Sequence, residues 1–360
     1  MNIKWDITYK CNLNCKHCIN GDYLGQIENE LCFNEIQIIL RKLHEVKVNY
    51  IHLLGGEPTA RADIGKIFEE FCINNINFGF NTNGLKLTDP TFRRSIVKNI
   101  NLKNIVFSLE GPTAEINDSI RGKKVFEITT NNIREIVKLK REFKREDLVL
   151  TINTVVNKIN YNYIIDMIYF AKNIGVDEMV LLQFIQEGNG KELDETLSVE
   201  QEISLVKDIA YCYKEVKNDL SIRPRFIYPL AQKYVKEMYE LEFPSTYSMC
   251  GAGENFFYLN NKGELYPCDR YKDRINLLND KSKIKLADNE FWDIASLKGY
   301  EEIFEKSEHK NSYLLYEPCN NCEYLRIECY PCPALMPANG EMKVRACMQM
   351  MEELEHVQNK

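Results

Sequence analysis

Near the start of the chain, the stretch TYKCNLNCKHC sets Cys11, Cys15 and Cys18 in C-x3-C-x2-C spacing. Thiolates are soft ligands, suited to zinc or to iron–sulfur clusters. Three thiols are one ligand short of a closed tetrahedral site. The fourth place is open to His17, to a distant residue or to a bound molecule. His17 sits between two of the thiols in sequence, which is poor geometry for joining them at one ion.

A second group lies far downstream: Cys250, Cys268, Cys319, Cys322, Cys329, Cys332 and Cys347. The pairs Cys319/Cys322 and Cys329/Cys332 have the C-x2-C spacing that lets two thiols chelate one metal. Seven thiols exceed one tetrahedral zinc and fall short of two closed four-thiol sites. A zinc knuckle and a pair of iron–sulfur clusters both remain open on spacing alone. Cys32, Cys72 and Cys212 fall in helical context with apolar neighbours and are expected to be buried as small apolar residues.

The chain of 360 residues has room for two domains. Its net charge of −7 argues against nucleic-acid binding, which favours a basic face. The N-terminal residues MNIKWDITYK lack the apolar run of a secretory signal, and no stretch is apolar enough to span a membrane. A cytoplasmic location is expected. Thirteen cysteines in a reducing compartment point to metal or redox chemistry rather than disulfides.

The elements that must position these thiols alternate. Strands are expected at 3–8, 50–54, 77–81, 104–109, 148–156 and 178–184, and helices at about 34–46, 63–74, 125–142, 161–173 and 199–217. Six such units imply a parallel α/β sheet, as an open barrel or a doubly wound sheet. The alternation stops near 220. Residues 1–220 are expected as the sheet domain, 221–245 as a linker and 246–360 as a small cysteine-rich domain held by metal. The cysteine loop then falls at the C-terminal end of the first strand, where α/β folds place their sites.

Other candidate residues sit at the ends of later strands. GGEP follows the second strand, with Gly55 and Gly56 allowing close backbone approach to a ligand and Glu57 able to accept from an ammonium. NTNG places Asn81 after the third, and SLEG places Ser108 and Glu110 after the fourth. SIRG supplies Arg121, whose forked donors suit a carboxylate, and Asn153 lies on the fifth candidate strand.

The ordered set over residues 1–220 resembles the radical SAM superfamily. The resemblance implies a partial (β/α)6 barrel in which Cys11, Cys15 and Cys18 hold three irons of a [4Fe–4S] cluster. The fourth iron is left for the amino and carboxylate groups of S-adenosylmethionine, whose reductive cleavage yields a 5′-deoxyadenosyl radical. It implies cofactor contacts from His17 near the adenine, Gly55, Gly56, Glu57, Asn81, Ser108, Glu110, Arg121 and Asn153. His17 departs mildly from the aromatic residue often found at that place.

The later cysteines resemble the SPASM extension, which carries two auxiliary [4Fe–4S] clusters. By analogy Cys319, Cys322, Cys329 and Cys347 close the outer cluster, while Cys250, Cys268 and Cys332 hold the inner one. The middle of the array departs from the usual spacing, so one ligand is displaced by one place. Asp269, in YPCDR, resembles the general base of anaerobic sulfatase maturases, but a further cysteine expected in those enzymes is absent from CGAGENFFYL.

The implied activity is therefore oxidative modification, such as a C–C, C–S or C–O crosslink, of a ribosomally made precursor peptide. A reductant protein such as flavodoxin or ferredoxin would be its partner. Formylglycine formation and small-molecule dehydrogenation or epimerisation are the alternatives. The few residues before Cys11 leave no room for a leader-binding domain there, so leader binding would use a separate protein or another surface.

Overall fold

The computed structural model describes residues 1–225, 229–244, 251–253, 255–271, 284–285, 319–322, 332 and 345–353. Seven parallel strands follow one another in sequence order: β1 (Asn2–Thr8), β2 (Tyr50–Gly55), β3 (Asn77–Thr82), β4 (Leu102–Ser108), β5 (Val149–Val156), β6 (Glu178–Gln183) and β7 (Ser221–Pro224). Between them run α1 (Phe33–Glu45), α2 (Ile64–Ile73), α3 (Pro90–Lys98), α4 (Ala114–Arg121), α5 (Val125–Glu142), α6 (Ile164–Ile174) and α7 (Val199–Val216), and α8 (Pro229–Tyr239) follows β7. An order that never reverses lacks the switch point of a doubly wound sheet. It is the order of a barrel, here left open, because β7 ends the sheet.

Period-two alternation decides which face does what. One face carries Ile3, Trp5 and Ile7 of β1, Phe78 and Phe80 of β3, and Leu150 and Ile152 of β5, all in the main core cluster with the apolar stripes of the helices. Ile36, Ile39, Leu40 and Leu43 of α1 are such a stripe. Burying each of these side chains is worth about 1.5–3 kcal/mol. The other face is polar, with Lys4, Asp6, His52, Asn81, Ser108 and Asn153 at alternate positions. That face lines the barrel's interior.

Residues 221–239 differ from the expected linker. They add a seventh unit: β7 pairs in parallel with β6, and α8 buries Tyr234 and Val235 in the core. The signal was weak because β7 has only the residues SIRP, too few to display alternation, and includes a proline. The cysteine-rich segment also joins the sheet. β8 (Phe256–Leu259) pairs in parallel with β1, Asn2 to Phe256 through Trp5 to Leu259. β9 (Glu264–Tyr266) returns antiparallel after Gly263, whose φ of +77° suits a residue without a side chain. β10 (Ile284–Lys285) pairs with β9. The helix at 345–353 rests on α7 and α8, where Glu353 accepts from Tyr234 at 2.8 Å and pairs with Lys207 at 2.8 Å.

Candidate active site

The loop after β1 is fixed from three sides. At its far end Glu30 accepts from Thr8 Oγ1 at 2.9 Å, from the Tyr9 N–H at 2.7 Å and from Asn261 Nδ2 at 3.1 Å, tying loop, strand and β8–β9 hairpin together. At the cysteines the Lys16 N–H donates to the Ile120 carbonyl at 3.0 Å, and Cys15 Sγ lies 4.0 Å from the Arg121 carbonyl. From the loop after β6, Asn189 donates its N–H to the Cys18 carbonyl and its Nδ2 to the Cys15 carbonyl, both at 2.9 Å. Gly188 lets that loop close in, since a Cβ there would stand 2.3 Å from the Cys18 carbonyl.

Gly55 and Gly56 serve a different approach from the one expected. A Cβ on Gly55 would stand 2.1 Å from the Thr8 carbonyl, and one on Gly56 2.5 Å from that of Lys10. The two glycines thus bring the GGEP turn against the end of β1. The Gly56 N–H donates to Thr8 at 2.8 Å and the Glu57 N–H to Lys10 at 2.9 Å.

Glu57 is buried and already has four donors. Oε1 accepts from the Thr59 N–H at 3.1 Å, Thr59 Oγ1 at 2.5 Å and Thr82 Oγ1 at 2.8 Å, while Oε2 accepts from the Asn83 N–H at 2.6 Å. Burial pushes its carboxyl up in spite of these donors. Each carboxylate oxygen has two lone pairs and Oε2 has one donor, so one place at Oε2 is left for an ammonium. The side chain's main work is to lock the GGEP and NTNG turns to each other.

Glu110 is buried at the end of β4, with Arg121 Nη1 at 2.7 Å and His17 Nε2 at 3.2 Å from Oε1, and Oε2 accepting from the Val155 N–H at 2.8 Å. Burial pushes this carboxyl up, but His17, Arg121 and the Val155 N–H outweigh it and hold the group below its ordinary value. Arg121 comes from the last turn of α4, which ends at Gly122. Among the described residues, Arg121 Nε and His17 Nδ1 are buried without a partner. Ser108 and Asn153 face each other in register across β4 and β5.

Asp269 begins the turn after β9. Lys4 Nζ lies 3.3 Å from its Oδ2, and Cys268 Sγ donates to Oδ1 at 3.2 Å. Burial opposes the charge, but Lys4, Arg270 and Cys268 hold the carboxyl down at about 2. Arg270 pairs with Glu187 after β6 at 2.7 Å, joining the hairpin to the loop that grips the cysteines.

One cavity of about 950 Å³ gathers these groups. Its walls include the three N-terminal cysteines and all nine expected cofactor residues, together with Cys268, Asp269 and Cys332. Cys319 and Cys322 share one short turn, and Cys347 lies on the helix at 345–353. Cys250 and Cys329 lie outside the described residues. The described cysteines are all free thiols. Cys212 is buried as expected, but Cys32 and Cys72 are exposed. Cys32 caps α1, and Cys72 donates to Asn99 Oδ1 at 2.9 Å, so each has a polar task at the surface.

The model of the Radical SAM superfamily matches residues 5–171. This stretch is a radical SAM domain. The chain is 24% identical over 344 residues to the AdoMet-dependent heme synthase of Methanosarcina barkeri, covering 92% of this chain and 90% of that protein. It is 25% identical over 329 residues to the PqqA peptide cyclase of Bradyrhizobium diazoefficiens, covering 90% of this chain and 78% of that protein. Streptococcus suis SuiB, solved with S-adenosylmethionine bound, has the same fold at a TM-score of 0.68 and 17% identity, over 93% of this chain and 74% of SuiB. The protein is therefore a radical SAM enzyme with peptide maturases among its relatives.

The radical SAM family implies S-adenosylmethionine and one [4Fe–4S] cluster, and the residues present fit both. Burial pushes the Cys11, Cys15 and Cys18 thiols up, Cys18 to about 11, so they become thiolates only beside a strong cation such as iron. Among the described residues, no three Cys, His, Asp or Glu side chains converge as ligands of a single ion. The unpartnered Arg121 Nε is a donor of the kind a ligand carboxylate satisfies, and His17 Nδ1 is a ring nitrogen of the kind a ribose hydroxyl satisfies. No helix of the described residues is long and apolar enough to cross a membrane.

Lys4, Asp6, His52, Thr59, Thr82, Asn83 and Asn189 escaped sequence reasoning. A signal existed for the first two: they are polar residues at alternate positions of an otherwise apolar strand, IKWDIT. Asp6 accepts from Tyr258 at 2.5 Å, and Tyr9 lies 3.1 Å from the same hydroxyl, which pins β8 to the start of the cysteine loop.

Proposed function

We propose that this radical SAM enzyme oxidatively modifies a residue of a ribosomally made precursor peptide. The bound cofactors would supply a 5′-deoxyadenosyl radical, which takes a hydrogen atom from the peptide. The observation that carries the reading is the cavity described above. It joins the cysteine loop at one end to Cys268 and Asp269 at the other, and its volume exceeds the low end of ligand pockets by about threefold, leaving space beside a nucleoside cofactor. Cys11, Cys15 and Cys18 hold the cluster, and Arg121, Glu110 and His17 orient S-adenosylmethionine. Asp269 is the proposed proton acceptor for a substrate side chain. Cys250, Cys268, Cys319, Cys322, Cys329, Cys332 and Cys347 are the proposed ligands of two auxiliary clusters, one of which would take the surplus electron. Flavodoxin or ferredoxin is the proposed donor.

The test is incubation of the reconstituted enzyme with short peptides encoded beside its gene, S-adenosylmethionine and reductant, followed by tandem mass spectrometry. A loss of two hydrogens mapped to one residue or residue pair is expected, and no mass change on any such peptide would overturn the reading. Metal analysis should find about twelve irons for three clusters. One or two zincs would exclude it.

A second reading, action on a small tetrapyrrole, is favoured by the heme synthase match over most of both chains. Heme formation from a tetrapyrrole precursor added to the same assay, with no peptide changed, would select it.

A further inference from the structure

The inner face of β2 and β3 carries a half-buried relay behind Asn81 that the site above leaves unused. Tyr50 Oη lies 2.9 Å from His52 Nδ1, and His52 Nε2 lies 2.7 Å from Asn81 Oδ1. Asn81 is on the cavity wall. The relay has its own space. His52 registers with Gly79 on β3, where a Cβ would stand 2.1 Å from the Tyr50 hydroxyl. Gly79 thus admits Tyr50, Tyr50 meets His52, and His52 meets Asn81.

With Asn81 Oδ1 toward the ring, the matching tautomer carries its hydrogen on Nε2, because a carboxamide oxygen only accepts. Nδ1 of the neutral ring then accepts, and the Tyr50 hydroxyl donates to it. Burial keeps the ring neutral, drawing its pKa down to about 4. Lys4 on β1 and Arg225 after β7 push the same way, against the bond to Asn81. With Oδ1 engaged, Asn81 Nδ2 has no partner among the described residues.

We infer that His52 is a positioning residue, which fixes the Asn81 carboxamide so that Nδ2 offers a donor to an acceptor oxygen of the ligand in the cavity. That oxygen is the carboxylate of S-adenosylmethionine or a backbone carbonyl of the peptide. The identity of the ligand rests on the proposed function, whereas the orientation of the amide does not. A free carboxamide turns over at little cost, and half of its orientations would face the ligand with an oxygen. His52 with its hydrogen on Nε2 removes that choice.

The first test needs no turnover. In the holoenzyme labelled with 15N-histidine, long-range proton–nitrogen correlation should show His52 as the Nε2–H tautomer from about pH 5 to 8. A ring protonated at Nδ1 in that range would overturn the inference, whatever the enzyme's substrate. The second test measures affinity. His52→Phe should weaken one ligand by about tenfold, the size of one hydrogen bond, and His52→Gln, which keeps a donor, should recover most of it. Asn81→Asp keeps an oxygen toward His52 but turns a second one to the cavity, and should weaken the same ligand more. A change in S-adenosylmethionine affinity identifies the carboxylate as acceptor, and a change in peptide KM alone identifies the carbonyl. Unchanged affinity for both in Asn81→Asp would overturn the inference even if His52→Phe fails to fold.

Discussion

Glu57→Gln replaces one carboxylate oxygen by an NH2 group with almost no change of shape. In the wild type both oxygens face backbone donors: the Thr59 N–H at 3.1 Å from Oε1 and the Asn83 N–H at 2.6 Å from Oε2. Whichever way the glutamine turns, its NH2 meets one of these N–H groups. Thr59 and Thr82 can rotate their hydroxyls to accept, but a backbone N–H cannot change its role. One buried donor is therefore left without a partner, and its fellows lose a charged acceptor. Each such loss costs about 1–3 kcal/mol, so about 2–4 kcal/mol is expected in all. In a chain of this length that lowers the unfolding midpoint by about 5 °C. Differential scanning calorimetry of the holoenzyme reads the shift, and equilibrium dialysis should show weaker S-adenosylmethionine binding because the GGEP turn has moved. A midpoint within about 1 °C of wild type would refute the claim that Glu57 holds the two turns together.

Three further outcomes are expected. Cys15→Ala should lose cluster iron and form no 5′-deoxyadenosine with reductant, and retained formation would exclude the cluster assignment. Gly55→Ala places a methyl group 2.1 Å from the Thr8 carbonyl at a φ of +120°, so its midpoint should fall further than that of Glu57→Gln. Glu110 is held below its ordinary value, so its ionised form stabilises the fold above about pH 4.3, and that contribution is lost as pH falls through the lowered value. Wild-type stability followed by circular dichroism should therefore drop more steeply on acidification below about pH 4 than that of Glu110→Gln. Parallel curves would show that Glu110 is not coupled to His17 and Arg121.

Periodicity made the first six strands legible to within a residue or two, because their outer faces alternate apolar residues over six or more positions. α5 (Val125–Glu142) and α7 (Val199–Val216) stood out for their length. α3 and α4 were not expected, since each is short and α4 was met only as the SIRG motif at its end. The cysteine loop and strand-end motifs were visible because residue type and order carry them. What each motif contacts was not. Gly55 serves the backbone of β1, and Glu57 ties its own turn to the NTNG turn, which lies far from it in sequence. Such roles depend on which loops meet in space. His52 was hidden for the same reason, as it acts on a residue of another strand.

The pairing of β8 with β1 sets an order on the making of this protein. The Asp6–Tyr258 bond joins residues 252 positions apart. On the ribosome, the outer edge of the first strand stays unpaired until that distant hairpin emerges. An unpaired strand edge is a template for misassembly, and closing so long a loop is slow. During that interval the cysteine loop also lacks Asn261, its tie to the hairpin turn. The nascent domain thus offers its three thiols from a wall not yet built, and the hairpin that completes the sheet also fixes the loop that holds them.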